Sequence, residues 1–178
     1  MKFMSKILNL NEKHLYILIC LIFSIISFYH LSSGFHTASD TVRFSRWADY
    51  LIKLNFNFYD LYFSDIVNSE RIAPFFFTIP VFLISLCKLF FGNDWQTGFL
   101  LLNLIFLFLS LVIFIKTLLL LRIRPFIILL SFPLILISVD ILTWPRYMLS
   151  DMNFAFLVMF SVYFITKGII ENKFDHLI

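Results

Sequence analysis

Carboxylates and guanidinium groups crowd into one stretch of this chain. Asp40, Asp49, Asp60, Asp65 and Glu70 alternate with Arg43, Arg46, Lys53 and Arg71 inside HTASDTVRFSRWADYLIKLNFNFYDLYFSDIVNSER, a density of charge found nowhere else in the sequence. A carboxylate in such a segment can take a proton as a general base, and an arginine can hold a phosphate with paired N–H donors. Asp40 is the leading base candidate because it is the first acid after a long apolar run. Arg43 and Trp47 follow it at spacings that place all three on roughly one side of a helix. The plainer roles are charge stabilisation of a helix N-terminus for Asp40 and a snorkelling contact for Arg43.

Two further positions could carry chemistry. Glu70 and Arg71 stand just before Pro74, where the chain turns apolar again, so Arg71 could meet a lipid phosphate or serve as an ordinary interfacial anchor. Asp151 opens an apolar run in RYMLSDMNFAF, with Arg146 before it and Asp140 near the end of the preceding run. Ionisable groups at membrane depth are costly and therefore functional candidates, although Ser150 and Asp151 also suit a helix N-cap. His30 and His36 lack the spacing and acidic partner of a helical metal site. Phosphate-cradling glycine motifs are absent, in a chain with Gly 4 in total. Cys20 and Cys87 lie within separate apolar runs and read as small side chains, not as a disulfide or metal pair.

The elements that must position these residues are set by composition. Of 178 residues 61% are hydrophobic and 14% charged, with a mean hydropathy of +0.92. A soluble domain has about a quarter of its residues charged, so the expected class is an all-α, polytopic bundle of transmembrane helices. A net charge of +3, spread over tails and loops, supports neither nucleic-acid binding nor a polybasic lipid patch. A span needs about 20 mainly apolar residues. That criterion gives about five spans, near 15–32, 74–91, 98–121, 126–144 and 152–169. The first is longer than the h-region of a signal peptide and reads as an anchored span. Between the first two lies the polar loop, 33–73; the later links GNDWQT, RIRP and PRYMLSD are short.

Inside that loop Phe44, Trp47, Ala48 and Leu51 recur at helical spacing, with Arg43, Arg46, Asp49, Tyr50 and Lys53 on the other side. The pattern predicts an amphipathic interfacial helix over 40–54, with Trp47 and Phe44 among lipid headgroups. Thr37 and Asp40 have capping-box spacing, and Asp49 precedes Lys53 by one helical turn. Asn55 to Asn57 ends the helix, and FYDLYF is a second short aromatic segment.

Sidedness is contradictory. Lys2, Lys6 and Lys13 favour a cytoplasmic N-terminus, from which alternation puts the first loop outside, GNDWQT inside, RIRP outside and PRYMLSD inside. The two arginines of RIRP argue for the inside. A re-entrant segment, or a break at Pro80 or Pro133, would resolve the conflict.

The order of these features resembles the amino-terminal part of the GT-C glycosyltransferases, the protein-mannosyltransferase-like and RgtA/B/C/D-like group. A first span leads to an Asp and an aromatic helix, SDTVRFSRWADYL; a proline opens RIAPFFFTIPVFLISLCKLFFGND; after two apolar runs comes RYMLSDMNFAFLVMF. The resemblance covers about residues 14 to 170. It implies inverting transfer of a sugar from a polyprenyl-phosphate donor to an extracytoplasmic acceptor. It implies Asp40 as the base, Asp151 as a second acid near the donor phosphate, where a divalent metal could bind, and Arg71 as a phosphate contact, beside Arg43, the phosphate candidate that its own position gives. It implies membrane lipids and the lipid-linked donor as partners, and the inner membrane of a bacterium, within the cell envelope, as the location. Family members have more spans, so a truncated or split chain is expected, with a second polypeptide supplying the rest. A non-catalytic membrane subunit and a small transporter or lipid-handling protein are the alternatives.

Overall fold

The computed structural model describes residues 12–37, 39–64, 77–138, 143–147 and 151–171, with the backbone alone at 39, 133–137, 144 and 151. The chain is an all-α helical bundle, and no strand occurs among the described residues. Among the described residues its α-helices are α1 (Glu12–Ser33), α2 (Ser39–Lys53), α3 (Phe58–Tyr62), α4 (Thr78–Phe91), α5 (Trp95–Leu120), α6 (Pro125–Ile137) and α7 (Asp151–Ile170). Each of the five apolar segments contains a helix, and parts of two of them, 74–76 and 139–142, lie outside the described residues. Among the described residues three stretches are long and apolar enough to cross a membrane, Glu12–Ser33, Thr78–Leu120 and Met152–Ile170, which is the signature of an integral membrane protein.

The middle stretch is two helices, because the chain reverses between α4 and α5. Gly92 takes φ +55 and a 3-10 turn covers Gly92–Asp94. A positive φ is cheap for glycine alone. Beyond the turn Phe91 lies against Gly98, close enough that a Cβ on Gly98 would overlap the Phe91 ring. The reversal is thus made by Gly92 and sealed by Gly98. Neither proline breaks a helix. Pro80 sits in the first turn of α4, where its missing N–H is not needed, and the helical backbone of α6 continues through Pro133.

Other helix ends follow from local chemistry. Gly34 at φ +74 terminates α1, its N–H donating to the His30 carbonyl at 3.1 Å. At the end of α2, Asn55 and Phe56 both have positive φ, and the Phe56 N–H reaches back to the Leu51 carbonyl at 2.9 Å. Asn57 then caps α3, its side chain accepting from the Asp60 N–H at 3.3 Å. Between α5 and α6, Arg122 turns the chain at φ 59 and Pro125 opens the next helix, a position that suits proline.

Two packed clusters share α5. One joins α1, α5, α6 and the start of α7 through Leu15, Ile19, Ile26, Leu107, Leu111, Ile115, Ile128, Phe132 and Met152. Phe23 of α1 meets Phe108 of α5 at 4.8 Å, and the exit of α1 is tied through the 143–147 link to Asn103, earlier in α5, so the two helices run in opposite directions and the start of α1 lies toward the end of α5. The second cluster is the first loop folded on the α4–α5 hairpin: Phe44, Trp47, Ala48, Leu51 and Leu61 against Val81, Ile84, Cys87 and Phe99. The amphipathic helix forms over nearly the expected residues, but protein covers its apolar face. Phe44 and Trp47 are fully buried, so the expectation that they sit among headgroups is corrected.

Candidate functional site

Asp40 is the second residue of α2. Its carboxylate accepts from Arg43 Nη1 at 2.9 Å, with the two side chains 46% and 31% exposed. Two of the sequence candidates are therefore one ion pair, at helical i, i+3 spacing. The helix begins at Ser39, and residue 38, between it and Thr37, lies outside the described residues. Asp151 is the first residue of α7. Arg71 lies outside the described residues, as do Glu70, Asp65 and Asp140, and for Asp151 the side chain does.

What brings the two acid-bearing helix starts to one end of the bundle is a set of bonds between the exit of α1 and the link that precedes α7. The His36 N–H donates to the Arg146 carbonyl at 3.0 Å, within a parallel bridge between His36 and Tyr147. The rings of that pair lie 5.5 Å apart. Arg146 turns back onto the end of α1, Nε donating to the Gly34 carbonyl and Nη2 to the Ser33 carbonyl, each at 2.9 Å. These are carbonyls that the last turn of a helix leaves without partners, and the cation also meets the negative end of the helix dipole. From below, buried Asn103 of α5 donates to the Pro145 and Tyr147 carbonyls at 3.1 and 3.2 Å. Three residues separate His36 from Asp40 and three separate Tyr147 from Asp151.

The same contacts order the links along the bundle. Asn103 is nearer the start of α5 than its end, so the Gly92–Asp94 turn lies toward the end that holds the first loop and the 143–147 link. The RIR turn lies toward the opposite end, with the start of α1. Arg122 and Arg124 thus lie toward the same end as Lys13. The second apolar segment lies along the first loop. Both ends of α4 touch first-loop residues, Phe77 against Phe44 at 4.9 Å and Lys88 against Ser45.

Lys88 anchors this arrangement. Its ammonium donates to the Ser45 carbonyl and Oγ at 2.9 Å each and to Asp49 Oδ1 at 2.6 Å, and it stands 4.9 Å from the centre of the Trp95 ring. Three helices meet on one cation. Asp49 therefore serves Lys88, not Lys53 as the helical spacing had predicted. Ser85 adds a bond from α4 to the Ala48 carbonyl at 3.3 Å.

Sequence reasoning passed over Arg146, His36, Asn103 and Lys88 as structural ties. Asn103 did carry a signal: it is a lone amide inside the apolar run of α5, and such a group needs a polar partner. Chemically, the described part of the site offers a half-exposed carboxylate beside a guanidinium, able to accept a proton and to attract an anion. Among the described residues no three of His, Cys, Asp and Glu come together as a metal site. The side chain of Asp151, where the resemblance puts a divalent metal, lies outside the described residues. No family model matches the chain, no curated protein matches it, and no solved structure matches it.

Proposed function

We propose that this chain is a GT-C-like glycosyl transfer module of a bacterial inner membrane, acting on a polyprenyl-phosphate-linked sugar at its extracytoplasmic face. The observation that carries the reading is the His36–Tyr147 bridge with its Arg146 clasp, since a shared site needs Asp40 and Asp151 at the same end of the bundle. In the proposed topology α1, α5, α6 and α7 cross the bilayer while α4 stays with the first loop. The N-terminus and the RIR turn are then cytoplasmic, in accord with the positive-inside rule.

The chemistry asks little of the protein beyond placement. Asp40 takes the proton of the acceptor hydroxyl as its oxygen attacks the anomeric carbon. The bond from that carbon to the phosphate oxygen breaks, the polyprenyl phosphate leaves with the electron pair, and the configuration inverts. Arg43, already at the carboxylate, offers its remaining N–H groups to the phosphate as charge accumulates there. Arg71 would be a further phosphate contact and Asp151 the second acid. A donor held by a lipid tail needs no nucleotide-binding loop.

The test is sugar transfer from a polyprenyl-phosphate donor in vesicles, with wild type and Asp40→Asn compared. Loss of a general base should lower the rate by about 10²- to 10⁴-fold; equal rates would sink the assignment. A second reading, a non-catalytic membrane subunit, is favoured by the aromatic run on α7, where Phe156, Phe160 and Phe164 lie ring to ring at 5.9 and 4.6 Å. Inactivity of both proteins, with co-purification of a membrane partner that is lost on substituting Phe160, would support that reading instead.

A further inference from the structure

α3 turns one face inward and leaves two rings outside. Leu61 is buried, Phe58 packs on Phe82, and the Tyr62 hydroxyl bonds to Thr78. On the other side Tyr59 and Phe63 lie ring to ring, tilted at 44° with centres 4.7 Å apart, while 70% and 67% exposed. α4 also leaves an aromatic ring partly uncovered: Phe82, which touches Phe56 and Phe58, is 37% exposed. A polar edge borders it, where Asn57 Nδ2 donates to Asp60 Oδ2 at 2.7 Å.

We infer that Tyr59 and Phe63 insert into the boundary between headgroups and acyl chains of the bilayer at the first-loop end. Rings with an apolar body beside a polar rim favour that depth, and two adjoining rings left in water would hold a costly exposed apolar surface. The occupant is a lipid surface because the pair stands, with the polar Asn57–Asp60 edge beside it, on a chain whose longest helices are built for lipid. The pair takes the anchoring task that the amphipathic pattern had given to Phe44 and Trp47, both of which are enclosed by protein. This inference depends on membrane insertion, not on sugar transfer.

The experiment places a nitroxide on single cysteines, Tyr59→Cys or Phe63→Cys, in the full chain with Cys20 and Cys87 replaced by serine and alanine. The protein is reconstituted in phosphatidylcholine–phosphatidylglycerol vesicles, and collisions with oxygen and with a water-soluble nickel chelate are measured by power saturation. Labels at Arg46, which is exposed on α2, and at Ile165, exposed on α7, serve as the water and lipid references. The expected result is nickel accessibility at 59 and 63 several-fold below that at 46, with oxygen accessibility raised toward that at 165. Nickel accessibility equal to that at 46 would show a water-facing pair, and shielding from both reagents a protein contact; either overturns the inference. If the label at 165 also meets nickel freely, insertion fails and the inference falls with it. Both tested side chains are exposed, so their removal leaves the packed clusters intact.

Discussion

Arg146 and Gly34 are 112 positions apart, yet the guanidinium Nε of one donates to the backbone carbonyl of the other at 2.9 Å. That bond, with its partner to Ser33, closes the end of α1 with a residue supplied by the far part of the chain. It also joins the segment leading to Asp40 with the segment leading to Asp151. A single long side chain thereby decides which ends of the bundle coincide.

Arg146→Ala should loosen that junction. Two charge-assisted bonds to otherwise unpartnered carbonyls are lost, and each is worth about 1.5–3 kcal/mol when its acceptor cannot turn to water. The half-exposed setting of Arg146 puts the expected destabilisation at the lower end, about 1–3 kcal/mol in total. Thermal unfolding in detergent measures it. Oxidative cross-linking of His36→Cys with Tyr147→Cys, fast in the parent, should slow in the Arg146→Ala background.

Lys88 and Asp49 are bonded to each other but should not respond alike. Lys88 is 12% exposed and satisfies three oxygens, whereas Asp49 is 57% exposed and can exchange its partner for water. Lys88→Met should therefore destabilise by about 1–3 kcal/mol, since it removes a largely buried donor from the two part-buried oxygens of Ser45. Asp49→Asn should cost less than about 1 kcal/mol, as exposed ion pairs do. Equal losses in the two variants would contradict this division.

Gly98 is specified by the ring of Phe91. A side chain at Gly98 must displace that ring, so Gly98→Val should destabilise by about 1–3 kcal/mol through overpacking. The cost should shrink in the Gly98→Val, Phe91→Ala double variant. A coupling energy near zero in the double-mutant cycle would mean that the two residues do not meet.

The ends of the bundle give a labelling prediction. With Cys20 and Cys87 replaced, single cysteines at Thr37 and Asn93 should react with a membrane-impermeant maleimide from one side of sealed vesicles. A cysteine at Arg122 should react from the other. Simple alternation of spans puts Asn93 opposite Thr37, so the outcome at Asn93 separates the two topologies.

By itself the sequence determined the class of this protein, its apolar helices and the boundaries of its amphipathic helix. Those are properties of local composition and period: a run of Leu, Ile and Phe must be helical to satisfy its backbone in an apolar setting, and Phe44, Trp47, Ala48 and Leu51 repeat at 3.6 residues wherever they are buried. It also marked Asp40 and Arg43 as neighbours, because i, i+3 pairs form within one helix. What period cannot state is what covers an apolar face. Lipid and the α4 helix satisfy Trp47 equally well on paper, and only the packing of Ala48 and Ser45 on Ser85 and Lys88 chose between them. Likewise the partner of Asp49 was open to Lys53 by spacing, and the approach of α4 gave it to Lys88. The placement of the links was the largest matter left to the tertiary structure. Counting spans assumes that each apolar run crosses, but the reversal at Gly92 and the long-range bonds of Arg146 and Asn103 are contacts between residues far apart in the chain, and no local pattern encodes them.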